Sequence, residues 1–275
     1  MTETPAIPRP TGRLIPDMPP LLPGSPEVVK VFDRIRRALD DRDEFAEFCW
    51  FAREYPRCYR FHFNGAEFRL DSLHRIMSKL HDRLMKEAET MSGGCFEHGV
   101  SDRSVEQVYW DFESFLSEVN IALDLLARVV GPAFRQQTPP SFNKLCKSAI
   151  EHPVIEILRK AQNRWVDRLK DYRDCFTHYT PVDTLLLVSL RYYPSGWQLR
   201  ARLPINPNVR EILGFKFSRK TELLGYALRT YANLRALDRA VASQIWKLFR
   251  AGEFPQRHEH LFFLGTRHRK SVSVG

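Results

Sequence analysis

With 275 residues, 43% of them hydrophobic and 12% aromatic, the chain can bury a sizeable core in one large domain or two small ones, which sets aside a disordered polyelectrolyte. Its 42 Lys and Arg against 33 Asp and Glu give a formal charge of +9, an excess that favours an anionic partner and puts nucleic acid first among the candidates. The five cysteines (Cys49, Cys58, Cys95, Cys146, Cys175) form no CxxC pair, no apolar run reaches membrane-span length and no signal-like segment opens the chain; the expectation is a cytoplasmic protein with no membrane partner.

Residues 1–24 carry seven prolines, which hold a chain extended and donate no backbone hydrogen bonds, so an irregular arm is expected there. A helical extension with a hairpin is expected over 25–100. Ser25-Pro26-Glu27 has the order of a helix start, a cap followed by a first-turn proline and an acid at the positive dipole end. Val28, Phe32, Ile35 and Leu39 continue it at helical spacing. A second helical piece, Glu44 to Glu54, carries Phe45, Phe48, Trp50 and Phe51, and Tyr55-Pro56 is expected to stop it.

The alternation of Tyr59, Phe61 and Phe63 before Asn64-Gly65, and of Glu67-Phe68-Arg69-Leu70 after it, predicts a first hairpin. Leu73, Met77, Leu80 and Leu84 then mark a helix from Asp71 that ends before Ser92. Cys95 and His98 offer two ligands where zinc takes three or four from the protein, so no metal is expected.

A helical bundle is expected over 101–252. Its first long helix runs from about Asp102 to Val130, on a stripe that begins at Val105 and Val108, and Gly131-Pro132 ends it. Asp124 is expected to face outward. Residues 131–151 are expected to be irregular or briefly helical near Ser141. Pro153 opens the next helix, whose apolar positions include Ile157, Trp165, Leu169, Tyr172 and Phe176. Its other face presents Arg159, Lys160, Arg164, Arg168 and Lys170. A second hairpin near 185–203 follows, with Arg200 and Arg202 on one side. Ser218 is expected to cap the last long helix, Gly252 to end it, and residues 253–275 to form a basic tail.

The end of the Pro153 helix, Asp171-Tyr172-Arg173-Asp174-Cys175-Phe176-Thr177-His178-Tyr179, draws attention on chemistry. A guanidinium cannot lose its proton and matches phosphate with two parallel donors, while an imidazole exchanges a proton near neutral pH. On an α-helix a five-residue step advances about 140° and about 7.5 Å, so Arg173 and His178 would sit on adjoining faces. Cations at a helix C-terminus also suit its dipole, which is the plainer explanation of the same residues. No Walker loop, GxGxxG, HExxH or GxSxG motif is present.

The R-D-x-x-x-H run of Arg173, Asp174 and His178, set between long helices over roughly residues 102–250, resembles the signature of the HEPN family. In that family the residue after the Arg is most often Asn, and Asp174 stands here as an accepted variant. The resemblance implies a mainly α, HEPN-like helical bundle with one or two small β-hairpins inserted. It implies a homodimer whose two motifs line one cleft, metal-independent and cofactor-free endoribonuclease activity, and a toxin or defence role held in check by an inhibitory or antitoxin protein. Arg173 would stabilise the phosphorane charge, His178 would act as general base or acid, and Asp174 would orient one of them. RNA would be held by Lys170, Arg168, Arg164 and Tyr179. Two other classes are a non-catalytic HEPN-like adaptor that binds nucleotide, RNA or protein, and a structural or regulatory helical protein.

Overall fold

In the computed structural model, which describes residues 24–39, 46–90, 97–100, 102–131, 139, 141–179, 188–193, 196–209 and 214–254, Pro26 and Glu27 open helix α1 (Glu27–Leu39) as their order predicts. Val28, Phe32 and Ile35 are its buried face. The arm before residue 24, the aromatic side chains at 45, 48, 50 and 51, Cys95 and the tail from 255 lie outside the described residues.

Helix α2 (Ala46–Thr90) corrects the expectation for residues 55–70. It carries Pro56 inside it and passes straight through Asn64-Gly65, so there is neither a stop nor a hairpin. Burial explains why: Tyr59, Phe63, Ala66, Leu70, Leu73 and Met77 are buried at steps of three and four, while Phe61 is 71% exposed and Phe68 60%. A sheet face would have buried Phe61 with its neighbours. The helical stripe wins because it joins the one that follows it.

Gly65 has a different task from the turn it suggested. A Cβ there would stand 2.7 Å from the Glu118 carboxylate, which lies 2.7 Å from His62 Nδ1. Glycine costs an exposed helix interior about 1 kcal/mol relative to alanine. Gly65→Ala is therefore expected to give none of that gain in a melting experiment, because the side chain displaces Glu118 from His62. In a Glu118→Ala background the same substitution is expected to stabilise by about 1 kcal/mol.

Helix α3 (Arg103–Val129) follows its predicted stripe. Asp102 caps it, accepting from Ser104 N at 2.8 Å while Arg83 holds its other oxygen at 2.7 Å. Asp124 does not simply face outward: it is half-buried and accepts the Phe142 amide at 2.9 Å, at the start of the short helix α4 (Phe142–Cys146).

Helix α5 (Pro153–Ala161) is continued by a π-turn, π1 (Gln162–Val166), then by α6 (Asp167–Asp174) and a second π-turn, π2 (Cys175–Tyr179). A π-turn closes i→i+5 rather than i→i+4 hydrogen bonds and so inserts one residue. The buried residues here are Ala161, Gln162, Val166 and then Leu169, and Trp165 is half-buried instead of in the predicted stripe.

Four strands, β1 (Glu97–Val100), β2 (Val188–Tyr193), β3 (Gly196–Pro204) and β4 (Phe217–Glu222), form one antiparallel sheet in that order. The second predicted hairpin is β2–β3, with Val188 opposite Ala201 and Leu190 opposite Leu199. Residues 217–222 belong to β4, which corrects the expected cap at Ser218. Helix α7 (Leu223–Arg250) starts later, and the Glu222 carboxylate accepts from the amides of Leu224, at 3.2 Å, and Gly225. Its predicted stripe is buried, and Gly252, at φ 75°, closes its C-terminus.

The described chain is thus mainly α-helical with a small antiparallel sheet. It divides into two compact units, and each of α2, α3 and α7 contributes residues to both. The first unit holds residues 67–116 and 170–229, among them all four strands and π2. Its core is aromatic: Phe176 packs edge-on to Phe112 at 5.4 Å, and Tyr226 lies 4.6 Å from Tyr172. The second holds residues 23–66, 117–169 and 230–275. Its centre is Asp238 of α7, 2% exposed, which accepts from Glu27 N at 2.6 Å, Val28 N at 3.2 Å and Tyr59 Oη at 3.1 Å.

Candidate active site at the end of the motif helix

Leu169, Tyr172, Cys175 and Phe176 are the inward residues of α6 and π2, and this fixes where the motif faces. Arg173 and Asp174 come between them and are 28% and 26% exposed. Thr177 and His178 are exposed on π2. Tyr172 anchors the turn by donating to the Pro204 carbonyl at 2.7 Å, which ties the backbone beside Arg173 to the end of β3. Tyr109 does the same one residue pair back, donating to the Arg202 carbonyl at 3.0 Å while its ring lies 6.0 Å from that of Phe176.

Arg173 donates from Nε at 3.0 Å and from Nη2 at 2.5 Å, both to Asp174 Oδ1. One carboxylate oxygen thus grips one edge of the guanidinium, fixing the plane of the fork. Its other edge, which includes Nη1, has no partner among the described residues. The π-turn also changes the relation of Arg173 to His178. Four of the five residues from Asp174 to His178 lie in π2, where a residue and the fifth one after it are joined across a single turn. The angle between the two positions is smaller than the α-helical 140° or so. π-turns of this kind recur at functional sites because they reorient a side chain without ending the helix.

The remaining predicted residues divide. Lys170 is exposed, three residues before Arg173 and in the same unit. Arg164, exposed on π1, and Arg168, half-buried on α6, belong to the other unit. The side chain of Tyr179 lies outside the described residues.

Arg159, a member of the predicted basic face, has a structural role. It donates to the carbonyls of Cys146 at 2.9 Å, Ser148 at 2.5 Å and Ile150 at 3.0 Å, and so satisfies the end of α4 and the loop after it. Hydrogen bonds to a charged donor contribute about 1.5–3 kcal/mol. Arg159→Met, which keeps the stem, is expected to lower unfolding stability by about 2–3 kcal/mol in urea melts. Sequence reasoning missed Asp238 as well. Its signal was present, since position 238 falls inside the apolar run of Leu234, Leu237 and Val241.

Among the described residues no helix is long and apolar enough to cross a membrane, and no group of three or more His, Cys, Asp or Glu is placed to hold a metal ion. Comparison with protein-family models, with characterised proteins and with solved structures returns no match.

Proposed function

We propose that the chain is a metal-independent endoribonuclease of the HEPN type, with Arg173, Asp174 and His178 as its active-site residues. The observation that carries this reading is the π-turn end of a buried helix, from which an oriented guanidinium and an imidazole both reach solvent. The ribose 2′-oxygen attacks the adjacent phosphorus and the bond to the 5′-oxygen breaks. A proton leaves the 2′-hydroxyl and one is delivered to the departing 5′-oxygen, giving a 2′,3′-cyclic phosphate and a 5′-hydroxyl. His178 serves as base or acid, and the outer edge of Arg173 stabilises charge on the phosphorane oxygens. Asp174 positions Arg173. A homodimer would supply a second motif to the same cleft, and a protein inhibitor would keep a cytoplasmic toxin or defence nuclease silent.

The attack requires a 2′-hydroxyl, so substrate chemistry tests the proposal. An RNA oligonucleotide is expected to be cut, and its 2′-deoxy counterpart to survive under the same conditions. Equal cleavage of the two, or of neither, contradicts it.

A second reading is favoured by the Arg173–Asp174 pair itself: the carboxylate occupies donors that a bound phosphate would use. On that reading the protein is a HEPN-like adaptor that binds nucleotide, RNA or a protein. Arg173→Ala and His178→Ala separate the two readings, since an adaptor has no cleavage to lose.

A further inference from the structure

Along α2 the arginines have acids beside them: Arg75 lies 2.9 Å from Asp71, Arg69 3.3 Å from Asp111 and Arg83 2.7 Å from Asp102. The α1–α7 side of the second unit is different. Helix α7 contains one acid, Asp238, and that carboxylate is buried beneath the amides of Glu27 and Val28. Every charge that α7 presents to solvent is therefore positive.

The two helices lie side by side, joined by Asp238 at the start of α1 and by the Arg34 guanidinium 5.9 Å from the centre of the Trp246 ring. At 3.6 residues per turn, Arg235, Arg239 and Arg250 fall within about 60° of one another around α7 and span about 22 Å along it. Trp246 lies on the same stripe, so Arg34 and Arg37 of α1 extend it sideways. None of Arg34, Arg37, Arg235, Arg239, Lys247 and Arg250 has an acid as an ion-pair partner among the described residues. The acids of α1 do not offset them: Glu27 is taken by Lys30 at 2.7 Å, and Asp33 meets Arg37 through its backbone carbonyl, at 3.2 Å.

A merely solvated helix face gains from alternating signs, and like charges one turn apart, as at Arg235 and Arg239, destabilise it. The guanidiniums are nevertheless held in place. Arg37 and Arg239 each donate from Nε to the carbonyl one turn back, at 3.2 and 3.3 Å, which leaves their Nη groups without a partner among the described residues. Arg34 sits over Trp246, whose ring stacks on Phe249 at 5.5 Å. Among the described residues no exposed large hydrophobic side chain lies on α1 or α7, so the ridge lacks what would enter a membrane or form the dry centre of a protein interface. Oriented arginine forks in a row fit successive phosphates instead.

We propose that the α1–α7 ridge, through Arg34, Arg37, Arg235, Arg239 and Arg250, is a docking surface for the phosphate backbone of RNA, held without regard to base sequence. The choice of RNA among nucleic acids rests on the nuclease reading above. The ridge contributes affinity and takes no part in the chemistry.

The test uses the full chain and a fluorescent 2′-O-methyl RNA of mixed sequence, which binds without being cut, titrated from about 50 to 200 mM KCl. Single-stranded nucleic acid shows a log–log salt slope of about −0.7 per phosphate contacted. The variant Arg235→Gln/Arg239→Gln/Arg250→Gln is expected to bind more than about 10-fold more weakly at the lowest salt and to lose about 2 from the slope magnitude. It is also expected to melt no lower than the native chain, since glutamine keeps the helix and the repulsion is gone. Arg239→Gln/Arg250→Gln, at two exposed positions, is expected to lose about 1.4 and serves if the triple variant is unfolded by circular dichroism. The control Lys79→Gln/Lys86→Gln/Arg103→Gln removes the same charge from exposed helix positions in the first unit and is expected to keep the native slope.

Equal slopes for the ridge variants and the control overturn the proposal. So does polyglutamate competing with RNA charge for charge, which would mark an acidic protein as the partner, or ridge-dependent capture by phosphatidylserine vesicles in place of RNA. RNA binding that depends on the ridge without any cleavage of ordinary RNA supports the surface and sinks the nuclease. Cleavage that depends on His178 while binding ignores the ridge does the reverse.

Discussion

Replacing His178 by alanine is expected to lower the rate of RNA cleavage by about 10²–10⁴-fold, the usual contribution of a positioned general acid or base, while leaving the melting temperature unchanged. The second half of that expectation follows from exposure: the side chain stands on the solvent side of π2, and the fold around it is held by Tyr172, Cys175 and Phe176. Arg173→Ala is expected to cost about 10²–10³-fold, as removal of one charge-stabilising donor does elsewhere. Arg173→Lys should not restore the activity, because a point charge cannot reproduce a fork fixed in plane by Asp174. Single-turnover rates on a short RNA, with each variant checked by thermal melting, separate these effects from misfolding.

The largest stability effect is expected at Asp238. Removing the carboxylate in Asp238→Ala leaves three donors, the Glu27 and Val28 amides and the Tyr59 hydroxyl, without the acceptor that gathers them. An orphaned buried polar group costs about 1–3 kcal/mol, so a loss of about 3–5 kcal/mol is expected with partial repair by water. For a chain of this size that is a fall in melting temperature of roughly 6–12 °C.

The same carboxyl gives stability a pH dependence. Burial pushes its pKa up from 3.8 to about 6, against the pull of the two amides and the phenol. The folded chain therefore binds this proton more tightly than the unfolded one, and the charged form is a cost to the fold above about pH 6. As pH falls from 6 toward 3.8 the cost is removed. Relative to Asp238→Asn, which does not titrate, the native chain is expected to gain on the order of 2 kcal/mol between pH 7 and 4.5. Paired urea melts at those two pH values measure it.

Sequence patterns served well wherever local chemistry and burial agree. The start of α1 at Pro26, the stripe of α3, the β2–β3 hairpin and the end of α7 at Gly252 were all legible. They misled at residues 59–70 because aromatic side chains at positions 59, 61 and 63 satisfy a period of two before any partner is known; only the exposure of Phe61 reveals the helix. Ser218 has the chemistry of a cap, but β3 takes that segment as its neighbour, and Glu222 performs the capping four residues on. The position of Arg173, Asp174 and His178 near a helix end was legible from the run of apolar residues before them. The π-turns were not, since no residue type marks where a helix accepts an extra residue. Nor could spacing show that Asp174 would hold Arg173, or that Arg159 would be spent on three carbonyls.

The proposed activity stands or falls on one incubation of the purified chain with mixed RNA in excess EDTA, followed by analysis of the new 3′ ends, beside His178→Ala. Fragments ending in 2′,3′-cyclic phosphate, formed by the native chain and absent from the variant, are the predicted result. RNA left intact by the native chain, or cut equally by both proteins, would contradict it.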